Sequence, residues 1–128
     1  MPIDLTTPGP VVWRPSARVP FKWRSFVDDM IDQALRQGVV KPSTSAFRAP
    51  IVVTMTAGKL RMCIDYRGLN LKTAPIHSII PRVDEIFIKL RGSQFISTSD
   101  CTLGNNQMKI KASDTHKTAF SCHRGQFE

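Results

Sequence analysis

Apolar and polar residues recur along the chain with two different periods, and each period predicts a type of element. Over residues 21–37 the apolar side chains recur in pairs at helical spacing, and Gly38 follows as a helix stop. Residues 81–91 repeat this pattern, with acidic residues in the first turn and Gly92 beyond the end. The sequence therefore predicts two amphipathic helices, the first with one buried face.

Runs of β-branched residues and strict alternation predict strands between and after these helices. Residues 50–55 and 60–67 form two such runs, and Ala57-Gly58 between them predicts a hairpin turn. Three later segments are also predicted to be strands: residues 95–100, 107–110 and 118–122. Together these elements predict an α+β fold, without an internal repeat or a glycine-rich phosphate loop.

The predicted strand over residues 60–67 has two unlike faces. Its apolar face comprises Leu60, Met62, Ile64 and Tyr66, and its polar face comprises Arg61, Cys63, Asp65 and Arg67. Burial of the apolar face would present two guanidiniums beside one carboxylate. Two interpretations remain open, a surface ion-pair ladder and an anion-binding hairpin.

The first 20 residues differ in composition from the rest of the chain. They contain five prolines and few spaced apolar residues, so we expect residues 1–20 to form an extended arm and residues 21–128 to form the domain. The sequence contains no run of the roughly 20 apolar residues that a membrane span needs, and the arm lacks the apolar centre of a secretory signal. We therefore expect an intracellular protein without a membrane segment.

The net charge of the chain favours one class of binding partner. Lys and Arg number 18 and Asp and Glu 10, which gives a net charge of +8 and makes polyanions the first partners to consider. Because the basic residues are spread along the chain, a generally basic surface and a nucleic-acid-binding face both remain open. The three cysteines have no Cys-x-x-Cys spacing, so we expect reduced thiols rather than a disulfide framework or a zinc site.

Several blocks of the sequence, taken in order, resemble one enzyme family. The blocks are Lys41-Pro42-Ser43-x-Ser45, Ala49-Pro50-Ile51-Val52-Val53, Leu60-Arg61-Met62-Cys63-Ile64-Asp65-Tyr66-Arg67-x-Leu69-Asn70, and Lys117-Thr118-Ala119-Phe120 with Gly125-x-Phe127-Glu128. From about Pro10 onward the chain resembles the reverse transcriptase of gypsy-type LTR retrotransposon Pol polyproteins. The resemblance implies the fingers and the first palm strands of a right-hand fold, without the remaining palm, thumb, connection and ribonuclease H.

The resemblance also implies a chemistry for the complete enzyme. Reverse transcriptases join a 3′-hydroxyl to a nucleotide α-phosphate with two Mg²⁺ ions that clustered carboxylates hold. Asp100 matches the first of these carboxylates, and Gln107 matches a position that follows it in the family. Without the resemblance, an Asp at the end of a strand is typical of a turn or cap residue. The family's other carboxylates lie in a Tyr-x-Asp-Asp motif, which the 128 residues lack. We therefore expect Mg²⁺, dNTP and an RNA/DNA template-primer as ligands of the complete enzyme, and negligible activity of this chain alone.

The hairpin carries the residues for which the resemblance implies nucleotide contacts. Arg61 matches the fingers arginine that contacts the incoming triphosphate, and Asp65 and Arg67 match positions that brace the fingers and contact the template. The family's Lys-Lys-Asp-Gly turn is replaced by Thr-Met-Thr-Ala-Gly over residues 54–58, so one partner cation is missing. Lys59 either substitutes for this cation or is an ordinary solvated lysine.

One further position departs from the family in a way that affects specificity. Asn105 stands where the family has an aromatic residue that packs on the sugar, and an amide cannot form that apolar wall. The resemblance therefore implies weak discrimination against ribonucleotides in an intact enzyme. The alternative function is a non-catalytic, basic nucleic-acid-binding relic, and the location expected in either case is a cytoplasmic retroelement particle or the nucleus.

Overall fold

The structure, a computed structural model, describes residues 1–12, 19–75, 79–101, 104 and 107–128, which form two compact units. The larger unit comprises Met1–Ala74 and Met108–Glu128, and the smaller comprises Pro75–Gln107. The larger unit holds a four-stranded mixed sheet and two α-helices, and the smaller holds one α-helix. This mixed α and β architecture confirms the predicted combination of helices and strands.

Helix α1 spans Arg24–Arg36, as the apolar spacing predicts. Val27 and Ile31 lie one turn apart on the same face and are completely buried. The helix is followed by Gly38, whose φ of +66° allows its N–H to donate to the Leu35 carbonyl at 3.1 Å. The predicted stop signal therefore acts where the sequence places it.

The sheet is built from four strands in the order β2-β1-β3-β4. The strands are β1 (Ala49–Thr56), β2 (Lys59–Ile64), β3 (Phe120–Cys122) and β4 (Gly125–Phe127). Strand β1 pairs antiparallel with β2 and parallel with β3, and β3 pairs antiparallel with β4. The predicted strand at 118–122 is confirmed in its second half, whereas β4 was not predicted.

The turn between β1 and β2 confirms the predicted hairpin. Thr56 pairs with Lys59, so Ala57 and Gly58 are the two loop residues. Both have positive φ, +49° and +74°, as a type I′ turn requires, and this turn matches the twist of the flanking strands. Strand β2 therefore folds directly back along β1 in a fixed register.

Two hydrophobic clusters stabilise the larger unit. The first lies between α1 and the sheet and contains Val19, Val27, Ile31, Ala49, Ile51, Phe120 and Phe127. The second contains Ile3, Val11, Phe47, Leu69 and Ala119. Tyr66 packs against both clusters, and its hydroxyl donates to the Thr118 carbonyl at 2.8 Å. This one side chain therefore links the two clusters.

The prediction that one strand covers residues 60–67 is wrong at its end. Strand β2 stops at Ile64, and helix α2 covers Arg67–Lys72. The Asp65 carboxylate accepts the Arg67 backbone N–H at 3.2 Å, which offers the chain a turn in place of a further ladder bond. Leu69 of α2 is then buried in the second cluster, which favours the helix over a longer strand.

Helix α3 covers Val83–Leu90 and confirms the second predicted helix, but two predicted strands are wrong. Residues 95–100 form no strand, because a strand is stable only when a neighbour pairs with it and the described part of the smaller unit supplies none. Residues 107–110 also lie outside the sheet. The Lys109 carbonyl instead accepts a bond from the Met1 amino group.

Residues 1–12 run along the larger unit through isolated bridges that pair Leu5 with Thr73 and Val12 with Arg48. Ile3 is buried, and its N–H donates to the Asp114 carboxylate at 3.0 Å. Residues 13–18 lie outside the described residues, so the predicted arm over 1–20 stays a prediction. None of the described helices has both the length and the apolarity that crossing a bilayer requires.

Candidate functional site

The outward face of the β1–β2 hairpin is the candidate site. Met62 and Ile64 of β2 pack on the first cluster, so the alternate residues of this strand point to the opposite side. The outward face carries three cross-strand pairs: Thr56 with Lys59, Thr54 with Arg61, and Val52 with Cys63. All six residues are exposed. The register thus places Lys59 and Arg61 two positions apart on one accessible face.

The composition of this face favours an anionic ligand. None of its six residues is acidic, and the Cα atoms of its two basic residues lie about 7 Å apart along the strand. The Thr54 hydroxyl lies directly across from Arg61, where a second hydrogen-bond donor can reach the same ligand. Thr54 is the residue that sequence reasoning missed, because only the hairpin register identifies it as the partner of Arg61.

Asp65 and Arg67 form a separate pair just beyond β2. The Arg67 guanidinium donates two hydrogen bonds to the Asp65 carboxylate, Nε to Oδ1 at 2.8 Å and Nη2 to Oδ2 at 2.7 Å. The hydrogen bonds, and then the charge of Asp65, raise the pKa of Arg67. The Asp65 side chain is only 8% exposed, whereas that of Arg67 is 70% exposed. Strand β2 ends at Ile64, so these two residues lie beyond the strand on which they were predicted.

The remaining predicted site residues lie in the smaller unit or outside the described residues. Asp100 and Gln107 belong to the smaller unit, where both are exposed, and Asp100 is not at the end of a strand. The Gln107 backbone N–H donates to the Gly104 carbonyl at 3.2 Å. Asn105 lies outside the described residues. The structure therefore brings Lys59 and Arg61 together, and Asp65 and Arg67 together.

A metal site needs several ligands that converge. Within the described ranges, no three His, Cys, Asp or Glu side chains are grouped closely enough to hold a metal ion. Asp100 therefore belongs to no such group, whereas a pair of Mg²⁺ ions needs several oxygen ligands from the protein. The described residues do not by themselves fit a two-metal centre.

Comparison with known proteins identifies the class of protein to which the chain is similar. No family model matches the chain. Its homologues are retrotransposon Pol polyproteins: it is 32% identical over 123 residues to the retrovirus-related Pol polyprotein from transposon opus of Drosophila melanogaster. It is also 31% identical over 103 residues to the transposon Tf2-3 polyprotein of Schizosaccharomyces pombe. These alignments cover 91% and 80% of the chain but only 12% and 8% of the relatives.

Solved structures show the same fold. The protease-reverse transcriptase of prototype foamy virus matches with a TM-score of 0.79 and 23% identity, over 98% of this chain and 17% of the viral chain. The foamy viral enzyme in complex with double-stranded DNA matches with a TM-score of 0.76 and 26% identity, over 99% and 24% of the two chains. The enzyme is also known in complex with an RNA/DNA hybrid. The chain therefore has the fold of one segment of a retroviral protease-reverse transcriptase.

Proposed function

We propose that the chain is the fingers and first palm strands of an RNA-directed DNA polymerase, within a gypsy-type retrotransposon Pol polyprotein. In this proposal the outward hairpin face binds the triphosphate of the incoming nucleotide. The acid-free face that carries Lys59 and Arg61 is the observation that carries the proposal. Homology to Pol polyproteins and the shared fold with a protease-reverse transcriptase support it.

The chemistry of the face suits a triphosphate. An arginine offers a rigid fork of N–H donors that matches two phosphate oxygens, and its charge is permanent. Lys59 adds a second positive charge along the strand, and the Thr54 hydroxyl adds a neutral donor across it. Lys59 thereby takes the role of the turn lysine that the sequence lacks. The Asp65–Arg67 pair stabilises the junction of β2 with α2 and so fixes the base of the hairpin.

Nucleotidyl transfer needs more than this face. The only tyrosine of the sequence is Tyr66, and Gly68 and Leu69 stand where the two aspartates would follow, so the 128 residues contain no Tyr-x-Asp-Asp motif. Asp100 supplies one metal-binding carboxylate, which can neither neutralise two Mg²⁺ ions nor set their spacing. We therefore propose that these residues alone bind a triphosphate without polymerising it. The complete enzyme would act on an RNA/DNA template-primer, in a cytoplasmic particle or in the nucleus.

Triphosphate binding tests the hairpin proposal directly. Titration calorimetry with dTTP compares the chain with Arg61→Gln and with a control, Arg36→Gln, which removes an exposed arginine at the end of α1. Loss of charge-assisted hydrogen bonds should weaken binding by roughly tenfold or more in Arg61→Gln and leave the control unchanged. Equal affinities in the two variants would refute the role of Arg61.

A second candidate function is a basic module that binds nucleic acid without using nucleotides. The net charge of +8 favours it, because cations release counterions from a polynucleotide backbone. Salt-dependent binding of an RNA or DNA oligomer, combined with no binding of dTTP, would favour this second function over the first.

A further inference from the structure

The two edges of the sheet differ in how they are covered. Strand β2 is the last strand on one side, and no described residue pairs with its outer edge. On the other side, residues 41–43 cover β4: the Lys41 and Glu128 backbones exchange two hydrogen bonds at 2.9 Å, and the Ser43 N–H donates to the Gln126 carbonyl at 3.0 Å. In the described chain, one edge is thus covered and the other is open.

The register of the hairpin determines which backbone groups of β2 point to the open side. In an antiparallel pair, alternate residues exchange hydrogen bonds with the neighbouring strand, and the residues between them point away from it. The Asp65 N–H donates to the Pro50 carbonyl at 2.9 Å, so the odd-numbered residues of β2 bond with β1. The backbone groups of Leu60 and Met62 therefore point outward, where no described group bonds them.

The side chains beside these backbone groups differ on the two faces of the strand. Lys59 and Arg61 are exposed on one face and form no ion pair with any described carboxylate. Leu60 and Met62 are half-buried on the other face. We name these four residues the β2 edge. It combines unbonded backbone groups with positive charge on one face and apolar surface on the other.

These features restrict which strand can add to the β2 edge. A neutral strand would desolvate Lys59 and Arg61 without supplying a partner, and charged residues commonly protect sheet edges in this way. A second copy of β2 would add two further cations to the same face, which is unfavourable. An acidic strand, by contrast, gives each cation an opposite charge.

We propose that the β2 edge binds an extended acidic segment of a partner protein, which adds to the sheet as a further antiparallel strand. The segment bonds the backbone groups of Leu60 and Met62 and places apolar residues opposite them. Its acidic residues lie opposite Lys59 and Arg61, at the positions that exchange no backbone bonds, where Cα atoms approach to about 4.5 Å. The segment therefore alternates acidic and apolar residues. The proposal does not depend on triphosphate binding.

Fluorescence anisotropy of the 128-residue chain with a labelled, acetylated Glu-Val-Glu-Val-Glu peptide tests the proposal. N-methylation of both Val residues removes the two N–H groups that face β2 and should weaken binding by roughly tenfold or more. N-methylation of the outer Glu residues is the matched control, because their N–H groups face away from β2, and it should leave binding unchanged. The isomer Val-Val-Glu-Glu-Glu has the same charge but no alternation and should bind as weakly as the peptide methylated at Val.

Charge reversal tests the chosen partner chemistry. The double variant Lys59→Glu, Arg61→Glu should lose the acidic peptide and gain binding of Lys-Val-Lys-Val-Lys, whereas Arg36→Gln, at the end of α1, should bind like the original chain. Because both residues are exposed, urea unfolding of the double variant should be unchanged.

Three results would overturn the proposal. They are equal binding of the two methylated peptides, equal binding of the alternating peptide and its isomer, and failure of charge reversal to exchange the preferred peptide. Titration of the original chain with dTTP separates the two proposals that involve Arg61. Peptide binding without dTTP binding would refute the hairpin proposal alone, and dTTP binding without peptide binding would refute only the acidic strand.

Discussion

The side chain that links the two hydrophobic clusters gives the sharpest prediction about stability. Tyr66 packs against both clusters, and its hydroxyl donates to the Thr118 carbonyl. Burial raises the pKa of Tyr66 from 10.0 to about 12. The neutral phenol is therefore preferred in the folded state, and ionisation should destabilise the fold.

The size of this effect follows from the shift in pKa. A rise in pKa from 10.0 in the unfolded chain to about 12 in the folded state corresponds to about 3 kcal/mol of stability. This contribution is fully present below pH 10, falls by about half at pH 11, and is lost as the pH passes through about 12. Stability therefore decreases with rising pH, because the unfolded chain loses the phenolic proton first.

Tyr66→Phe is the matched variant, because it keeps the ring and removes both the hydroxyl and the titration. At neutral pH we expect Tyr66→Phe to be less stable by about 1 kcal/mol, since it loses one hydrogen bond and leaves the Thr118 carbonyl without this donor. The difference should vanish near pH 11 and reverse above it. Every other titrating group is common to both proteins and cancels.

The assay is urea unfolding of both proteins between pH 8 and pH 12, with tyrosinate absorbance as an independent titration. Because Tyr66 is the only tyrosine, the absorbance reports its pKa without assignment. A constant stability difference across this range, together with a tyrosinate transition near pH 10, would refute the argument that Tyr66 is buried between the clusters.

Three further predictions concern the core, the amino-terminal segment and substrate selection. Ile31→Ala should lower the free energy of unfolding by about 3 kcal/mol in urea, because Ile31 is completely buried. Ile88→Ala, at an exposed position of α3, should change the free energy of unfolding by under about 0.5 kcal/mol. Equal effects of the two substitutions would contradict the assigned core. The hydrogen bonds from Lys117 and from the Ile3 N–H lower the pKa of Asp114, so its stabilising effect is present above its ordinary pKa and lost as the pH falls through the lowered value. Asp114→Asn should therefore reduce the slope of unfolding free energy against pH in acid. An unchanged slope would contradict the argument that these hydrogen bonds stabilise the Asp114 carboxylate. In a polymerase domain completed with its remaining palm strands, Asn105→Tyr should raise selectivity for dNTP over rNTP in primer extension, and equal selectivity would show that residue 105 does not form the sugar wall.

Local sequence signals predicted those elements that need no distant partner. Helix α1 and the type I′ turn follow from apolar spacing, Gly38 and Gly58, because helix and turn bonds close within a few residues. The segment over residues 95–100 has β propensity, but it pairs with no strand in the described chain, and propensity cannot supply a partner. Strand β4 is only three residues long and gives no periodic signal.

In the candidate site, too, the local pattern predicted some features, while others depended on contacts with distant parts of the chain. Alternation along residues 60–67 placed Arg61 and Cys63 on one face, whereas Lys59 and Thr54 could be added to that face only from the observed strand bounds and the register with β1. The Asp65 side chain was predicted to lie on that face, but its hydrogen bond to the Arg67 N–H turns the chain into α2. Long-range register and local side-chain bonds were thus the two features that the pattern alone could not resolve.

Primer extension, measured beside triphosphate binding on the same preparation, tests the central claim most directly. The 128-residue chain is incubated with an RNA template, a DNA primer, the four dNTPs and Mg²⁺. We predict that it binds dTTP through Arg61 and yields no extended primer, because Asp100 is the one position that matches the family's metal-binding carboxylates. An extended primer that disappears on Asp100→Asn would contradict the account.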